Sequence, residues 1–300
     1  MILVSEVGPR DGLQSIDRIM SLDAKKAWIR AEAEAGVREI EVGSFVPPSL
    51  IPQLADTAEV VAFAKTIPGL NVVALVPNAK GAARAAEAGV HAMSLPFSMS
   101  ESHSLKNVRK SHPDMIAEIR QVAIIARSAG VHFAVGLSTA FGCTIEGPVS
   151  EDAVVRLAVA AAEAGALEFS LSDTTGYANP AQVKRLVKRV ADAVGADKMT
   201  TLHLHNTRGL GLANALAGLE VGITTLDASL GGIGGCPFAP GASGNIVTED
   251  LVFMLQAMGV ETGIELQKLL KVRKIVASAL PGEPLYGFTP DAGLPLGFAA

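Results

Sequence analysis

Short apolar, β-branched runs alternate strictly with longer Ala-rich helical stretches, and several of those stretches end in an Ala-Gly pair. The turn after the first run, Gly8-Pro9-Arg10-Asp11-Gly12, lacks the glycine spacing of a nucleotide-binding loop. Together these observations predict an α/β chain closed as a (β/α)8 TIM barrel with extra C-terminal helices. A doubly wound open sheet would share the alternation, but it normally announces itself through that missing glycine turn.

The strands are predicted at residues 3–7, 39–43, 71–76, 92–96, 133–138, 168–172, 200–205 and 225–229. Helical patterns fall between them at 23–35, 57–66, 79–88, 113–129, 151–164, 180–194 and 211–221, and again at 248–258 and 264–279. Ala35-Gly36, Ala88-Gly89, Ala129-Gly130 and Ala164-Gly165 read as helix ends, because glycine past a helix adopts the left-handed conformation cheaply. No linker, charge run or low-complexity tract divides the chain. One catalytic domain over 1–300 is therefore expected, with the barrel at about 1–260 and a C-terminal helix and tail at about 261–300. The stretch 281–300, rich in Gly and Pro, is expected either to move freely or to fold over the barrel mouth.

Three hundred residues suit one such barrel, which typically needs ~250. Hydrophobic residues form 49% of the chain and aromatics only 4%, which favours close helix–sheet packing over an aromatic-rich sandwich. A net charge of −5 gives no basic footprint for nucleic acid. No run reaches the ~20 apolar residues of a membrane span. Met1-Ile2-Leu3-Val4-Ser5-Glu6 reads as a first strand and not as a signal peptide. Two cysteines, Cys143 and Cys236, are too few for a disulfide framework, so a reducing, cytoplasmic setting is expected. A homo-oligomer, dimer or larger, is expected as well.

In such barrels the chemistry sits at the C-terminal ends of the strands. That rule gathers scattered polar residues onto one rim. Arg10 and Asp11 follow strand one, Glu41 lies on strand two, and Asn78 follows strand three. Ser138 ends strand five, Asp173 ends strand six, His203 and His205 end strand seven, and Asn245 lies beyond strand eight. Gln14, Asn78 and Ser138 are the candidate substrate contacts.

Two residues apart on a strand, His203 and His205 point to the same side. On spacing alone they could equally be a hydrogen-bonded pair with no ligand. With Asp11 and the amide oxygen of Asn245 they make a mixed nitrogen and oxygen set without thiolates, which suits Mg²⁺ or Mn²⁺ better than a structural zinc. Arg10 would place a permanent positive charge beside that metal, either bracing a carboxylate or stabilising a developing enolate. Glu41 and Asp173 are acids inside apolar strands, each open to a structural or a proton-transfer role. The loop from Gly231 to Asn245 carries so many glycines that it suits a closing lid, and its Cys236 is a candidate reactive group. Cys143, in Phe141-Gly142-Cys143-Thr144, is read as structural.

Gly8-Pro9-Arg10-Asp11-Gly12-Leu13-Gln14, the end of strand two from Glu41 to Phe45, Ser170-Leu171-Ser172-Asp173-Thr174, the His203/His205 pair, Gly234-Gly235-Cys236-Pro237 and Gly241-Ala242-Ser243-Gly244-Asn245 resemble the 3-hydroxy-3-methylglutaryl-CoA lyase family. The resemblance runs from Val7 to about Leu270. It implies a TIM-barrel lyase using a divalent metal to cleave 3-hydroxy-3-methylglutaryl-CoA, an acyl-CoA substrate, into acetyl-CoA and acetoacetate. It also implies that Asp11, His203, His205 and Asn245 ligate the metal, and that Arg10 stabilises the enolate. Cys236 would transfer a proton, and Glu41 and Asp173 would occupy acidic site positions. The chain departs from the family at Ser15-Ile16-Asp17-Arg18, where Asn-Glu and a nearby Lys are usual. It also lacks the arginine that familiar members carry on strand five. Both departures lie near the acyl end of the substrate, so a related 3-hydroxyacyl-CoA or hydroxy acid, cleaved or condensed, is the alternative.

Overall fold

Residues 1–234 and 244–298 are described by a computed structural model. Eight strands, β1 (Leu3–Glu6), β2 (Glu39–Ser44), β3 (Asn71–Leu75), β4 (Ala92–Ser98), β5 (His132–Ser138), β6 (Glu168–Asp173), β7 (Met199–Leu204) and β8 (Thr225–Ala228), pair in sequence order as a closed barrel. Every pairing is parallel, and β8 closes onto β1. The barrel predicted from the sequence is the fold observed, and each strand lies within two residues of its predicted ends.

Between the strands run α1 (Leu22–Glu34), α2 (Thr57–Ala64), α3 (Ala79–Ala88), α4 (Glu101–Val108), α5 (His112–Ala129), α6 (Glu151–Glu163), α7 (Pro180–Val194) and α8 (Gly211–Leu219). After β8 come α9 (Thr248–Ala257), α10 (Leu266–Ala279) and the short α11 (Phe288–Ala292). Local chemistry sets their starts. Ser21, Asn78 and Asn179 accept backbone N–H bonds at the starts of α1, α3 and α7, and Ser111 with Asp114 forms a reciprocal capping box on α5. Gly89 and Gly130 end α3 and α5 at φ 76° and 67°. Gly36 and Gly165, two residues past the ends of α1 and α6, also take positive φ, 102° and 111°. The Ala-Gly pattern therefore marked helix-to-strand connections as expected. The helices α4 and α11 have no counterpart among the helices predicted from the sequence.

Strand alternation separates two environments. Met93, Leu95 and Phe97 of β4, Phe133, Val135 and Leu137 of β5, and Leu202 and Leu204 of β7 are buried in the layer between barrel and helices. The alternate positions, such as Ser94 and Ser98, Ala134, Gly136 and Ser138, and Thr201 and His203, are small or polar and face the barrel axis. On β2 the register slips between Glu41 and Gly43, which pair with Val73 and Ala74, so Val42 is an extra residue. Such a bulge re-aims the side chains beside it. No helix among the described residues is long and apolar enough to cross a membrane.

The C-terminal stretch does not swing free over its described part. Asp250 accepts from Phe288 N (2.9 Å) and Thr289 N (2.7 Å), Arg273 donates to Tyr286 O (2.8 Å), and Phe298 stacks on Phe253 with centroids 5.1 Å apart. The tail packs on α9 and α10 because their polar side chains satisfy its backbone.

Two outcomes follow from this packing. A Cβ at Gly36 would collide with the Gly263 carbonyl in a backbone conformation hostile to L side chains. Gly36→Ala is thus expected to lower unfolding free energy by about 1–3 kcal/mol in a urea titration. Glu32, buried on α1, is held well above the ordinary carboxylate range by burial and by the neighbouring Glu6 charge. The folded chain therefore binds this proton more tightly than the unfolded chain, and stability falls as pH rises above about 4.5. Glu32→Gln is expected to flatten that slope in denaturation curves taken from pH 5 to 8; an unchanged slope would show that Glu32 is not its source.

Candidate functional site

The first βα connection winds as a five-residue π-helical turn, Gly8–Gly12, with Asp11 N donating to Val7 O at 2.7 Å. A side chain at Gly8 would sit 2.6 Å from Glu6 Oε1 and 2.9 Å from the Trp28 ring, so only glycine lets the turn start there. The turn points Arg10 and Asp11 into the barrel mouth. Arg10 forms ion pairs with Glu41 through Nε and with Asp11 through Nη1. Glu41 also accepts from Ser94 Oγ at 2.6 Å. Burial alone would lower the Arg10 pKa, but the two carboxylates outweigh it and hold the guanidinium charged, above its ordinary value.

His203 and His205 lie as alternation requires, with their Nε2 atoms 3.2 Å apart. Asp11 Oδ2 is 3.7 Å from His203 Nε2 and 3.8 Å from His205 Nε2. Asn245 arrives through an isolated antiparallel bridge to His205, backed by Asn206 N to Gly244 O at 2.8 Å and Ile246 N to Leu204 O at 3.1 Å. Its Nδ2 donates to Asp11 Oδ2 at 2.7 Å. Its Oδ1 is buried with no hydrogen-bond partner among the described residues. Burial would raise the Asp11 pKa, yet Arg10 and the two histidines hold it well below the usual carboxylate range. Asp11 is ionised at any ordinary pH.

These atoms fit a divalent cation. Asp11, His203 and His205 each offer a ligand atom, all within 4.8 Å of one another. Adjacent ligands ~2.1 Å from an octahedral ion lie ~3 Å apart, close to the separation of the two imidazole nitrogens. The unpartnered Asn245 oxygen is a further donor, and a buried acceptor left without a partner costs roughly 1–3 kcal/mol. Three neutral ligands and one carboxylate leave positions for substrate oxygens.

The remaining predicted residues divide. Gln14 joins the cluster, its Nε2 donating to Asp11 Oδ1 at 3.2 Å. Glu41 braces Arg10, which settles the structural half of its two readings. Asp173 ends β6 and accepts from Tyr177 N (2.8 Å) and Ala178 N (3.1 Å); burial raises its pKa against those two bonds. Ser138 ends β5, with only a long bond to Gly136 O, 3.5 Å. Asn78 follows β3 and begins α3, where the sequence places it. Its side-chain oxygen is engaged as the cap of α3, accepting from Gly81 N at 2.9 Å. Cys236, with residues 235–243, lies outside the described residues. Cys143 is buried, as a structural cysteine should be.

Asp227 on β8 escaped the sequence reading. Its Oδ2 lies 3.0 Å from His203 Nδ1. Such a partner accepts a hydrogen bond from Nδ1–H, which leaves the Nε2 lone pair free to bind a metal. The signal was present: an acid inside the apolar run Thr225-Leu226-Asp227-Ala228, like Glu41 and Asp173.

The fold and this rim define a TIM barrel carrying a possible divalent-metal centre at the C-terminal ends of its strands. Residues 1–276 match the HMGL-like family, and the chain belongs to it. It is 41% identical over 284 residues to the hydroxymethylglutaryl-CoA lyase of Bacillus subtilis, covering 95% of this chain and 94% of that one. It is 39% identical over 302 residues to the (R)-citramalyl-CoA lyase of Chloroflexus aurantiacus, covering 97% and 95% of the two chains. The structure of an HMG-CoA lyase from Acinetobacter baumannii, in complex with coenzyme A and 3-methylmalate, matches with a TM-score of 0.92 and 40% identity over 100% of this chain and 97% of that chain.

Asp227→Asn keeps the shape of the side chain but loses the charge facing His203. It is expected to weaken Mn²⁺ binding by roughly 10–100-fold in calorimetric titration, with little change in melting temperature. Parental affinity would remove Asp227 from the site.

Proposed function

We propose that the protein is a metal-dependent carbon–carbon lyase that cleaves 3-hydroxy-3-methylglutaryl-CoA to acetyl-CoA and acetoacetate. The observation that carries the proposal is the charged Arg10 fixed beside the donor set of Asp11, His203, His205 and Asn245. Relatives named as hydroxymethylglutaryl-CoA lyases, about 40% identical over nearly the full length, support it.

The reaction moves one proton and one electron pair. The tertiary hydroxyl loses its proton, the resulting C–O⁻ becomes the ketone of acetoacetate, and the adjacent C–C bond breaks. Its electrons pass into the thioester as an enolate, which takes a proton at carbon to become acetyl-CoA. Asp11, His203, His205 and Asn245 would hold Mg²⁺ or Mn²⁺, and that ion supplies Lewis-acid polarisation and orients a chelating substrate. Arg10 stabilises the enolate oxygen. Glu41 holds its Nε and leaves the guanidinium little freedom, so the charge is preorganised at no cost during reaction. With Glu41 engaged by Arg10 and Asp227 facing His203, Asp173 is the acid assigned to proton transfer at the rim, its pKa raised by burial in keeping with that role. Cys236 protonates the enolate carbon, and Gln14 and Ser138 contact the substrate.

A second reading keeps this chemistry and changes the acyl group. The axis-facing positions of β5, Ala134, Gly136 and Ser138, carry no charge, and the citramalyl-CoA lyase relative supports cleavage of another 3-hydroxyacyl-CoA.

With Mn²⁺ or Mg²⁺ the protein is expected to release acetoacetate from 3-hydroxy-3-methylglutaryl-CoA, read by a coupled dehydrogenase assay. A metal-loaded protein that releases none, but forms pyruvate from citramalyl-CoA, would transfer the assignment to the second substrate. Asp11→Ala and His205→Ala are expected to lower kcat by roughly 100-fold or more; parental turnover would end the metal mechanism. Cys236→Ser should slow turnover more than it weakens Mn²⁺ binding.

A further inference from the structure

Outside the barrel wall, where β1, α1, α9 and α10 meet, three carboxyl groups are wholly buried: Glu6, Glu32 and Glu249. Arg273 of α10 pairs with Glu249 at 2.7 Å. None of the four belongs to the donor set. Glu6 makes the contacts that matter. Its Oε1 accepts from Gly8 N at 2.8 Å and from Leu230 N at 2.9 Å, and its Oε2 accepts from Thr248 Oγ1 at 2.7 Å.

Each of those partners stands three residues from a site residue. Gly8 precedes Asp11, Leu230 follows Asp227, which holds His203, and Thr248 follows Asn245. The two outer links join parts of the chain 224 and 242 residues apart. We propose that Glu6 is a positioning residue whose carboxylate ties the Asp11 turn to the Asn245 segment and so sets the spacing of the donor set. The inference rests on the metal-site reading above.

The chemistry of the cluster suits that task. Three acceptor contacts call for an ionised carboxylate, and burial opposes this, raising Glu6 to about 7 against the bonds from Thr248, Leu230 and Gly8. Glu32, facing it from α1, is held well above the ordinary carboxylate range by burial and by the Glu6 charge. Glu249, facing it from α9, is engaged by Gly231 N at 2.9 Å and by Arg273. With Glu249 so engaged, the bonds from Gly8, Leu230 and Thr248 are left to Glu6 as their acceptor.

Thr248→Val removes one hydroxyl with little change of shape, cutting the link to the Asn245 side alone. In the full-length protein it is expected to weaken Mn²⁺ binding about tenfold, measured by calorimetry. It should also lower kcat while leaving KM unchanged. In an Asn245→Ala background the same change should cost no further Mn²⁺ affinity, because its effect passes through Asn245. Parental Mn²⁺ affinity in folded Thr248→Val overturns the inference, and so does an equal loss on both backgrounds, which marks general loosening. If Thr248→Val does not fold, Glu6→Ala and Glu6→Gln carry the test. Glu6→Gln keeps Oε1 and can donate to Thr248, so it should recover most of the affinity lost in Glu6→Ala; no recovery overturns the inference. A parent chain that binds no Mn²⁺ overturns the metal site itself.

Discussion

The site depends on one buried cation. Arg10 sits between Asp11 and Glu41 with all three side chains nearly out of water. A buried carboxylate left alone takes up a proton, and a buried guanidinium left alone is costlier still. Together they stay charged, and that fixes the rest. Asp11 turns Oδ1 to Arg10 and Gln14 and presents Oδ2 to both histidines and Asn245. Removing one partner of such a group typically costs about 3–5 kcal/mol, since a charge is then stranded. The same guanidinium would stabilise the enolate, so its structural and chemical uses draw on one charge.

Geometry divides the remaining work between regular and irregular backbone. Alternation on β7 aligns His203 with His205, and β8 supplies Asp227 at the level of His203, with which it pairs in register. Asp11 and Asn245 come instead from connections, a π-helical turn and a segment bridged to the end of β7. Strand residues are held by the whole barrel. Connection residues need local restraints, which accounts for the hydrogen bonds gathered at Gly8, Leu230 and Thr248.

What the sequence revealed follows the range of each interaction. Strands, helix ends and the His203/His205 pair rest on periods of two and 3.6 and on short-range capping, which any short window contains. Asp11 was found because a barrel rule says where strand-end residues gather. As the last polar residue before a helix, Asn78 reads as a rim group, and only the bond from Gly81 N shows that it also caps α3. Asp227 was legible as an acid in an apolar strand, but its partner is 24 residues away. The Glu6 cluster was not legible at all. A glutamate at a strand end looks like a solvated edge until α1, α9 and α10 are seen to cover it.

The docked tail has a consequence for how the molecule comes into being. Tyr286 N bonds Gly231 O at 2.7 Å, and Arg273 reaches the carbonyls of Leu285 and Tyr286. On the ribosome, where the chain emerges N-terminus first, Asn245 appears more than two hundred residues after Asp11. The segments that brace Gly231 and Glu249 follow later still. Most of the barrel wall can pair as it is made, neighbour with neighbour, but the donor set closes through contacts between segments more than two hundred residues apart. A nascent chain released early would therefore hold much of the wall and no finished centre.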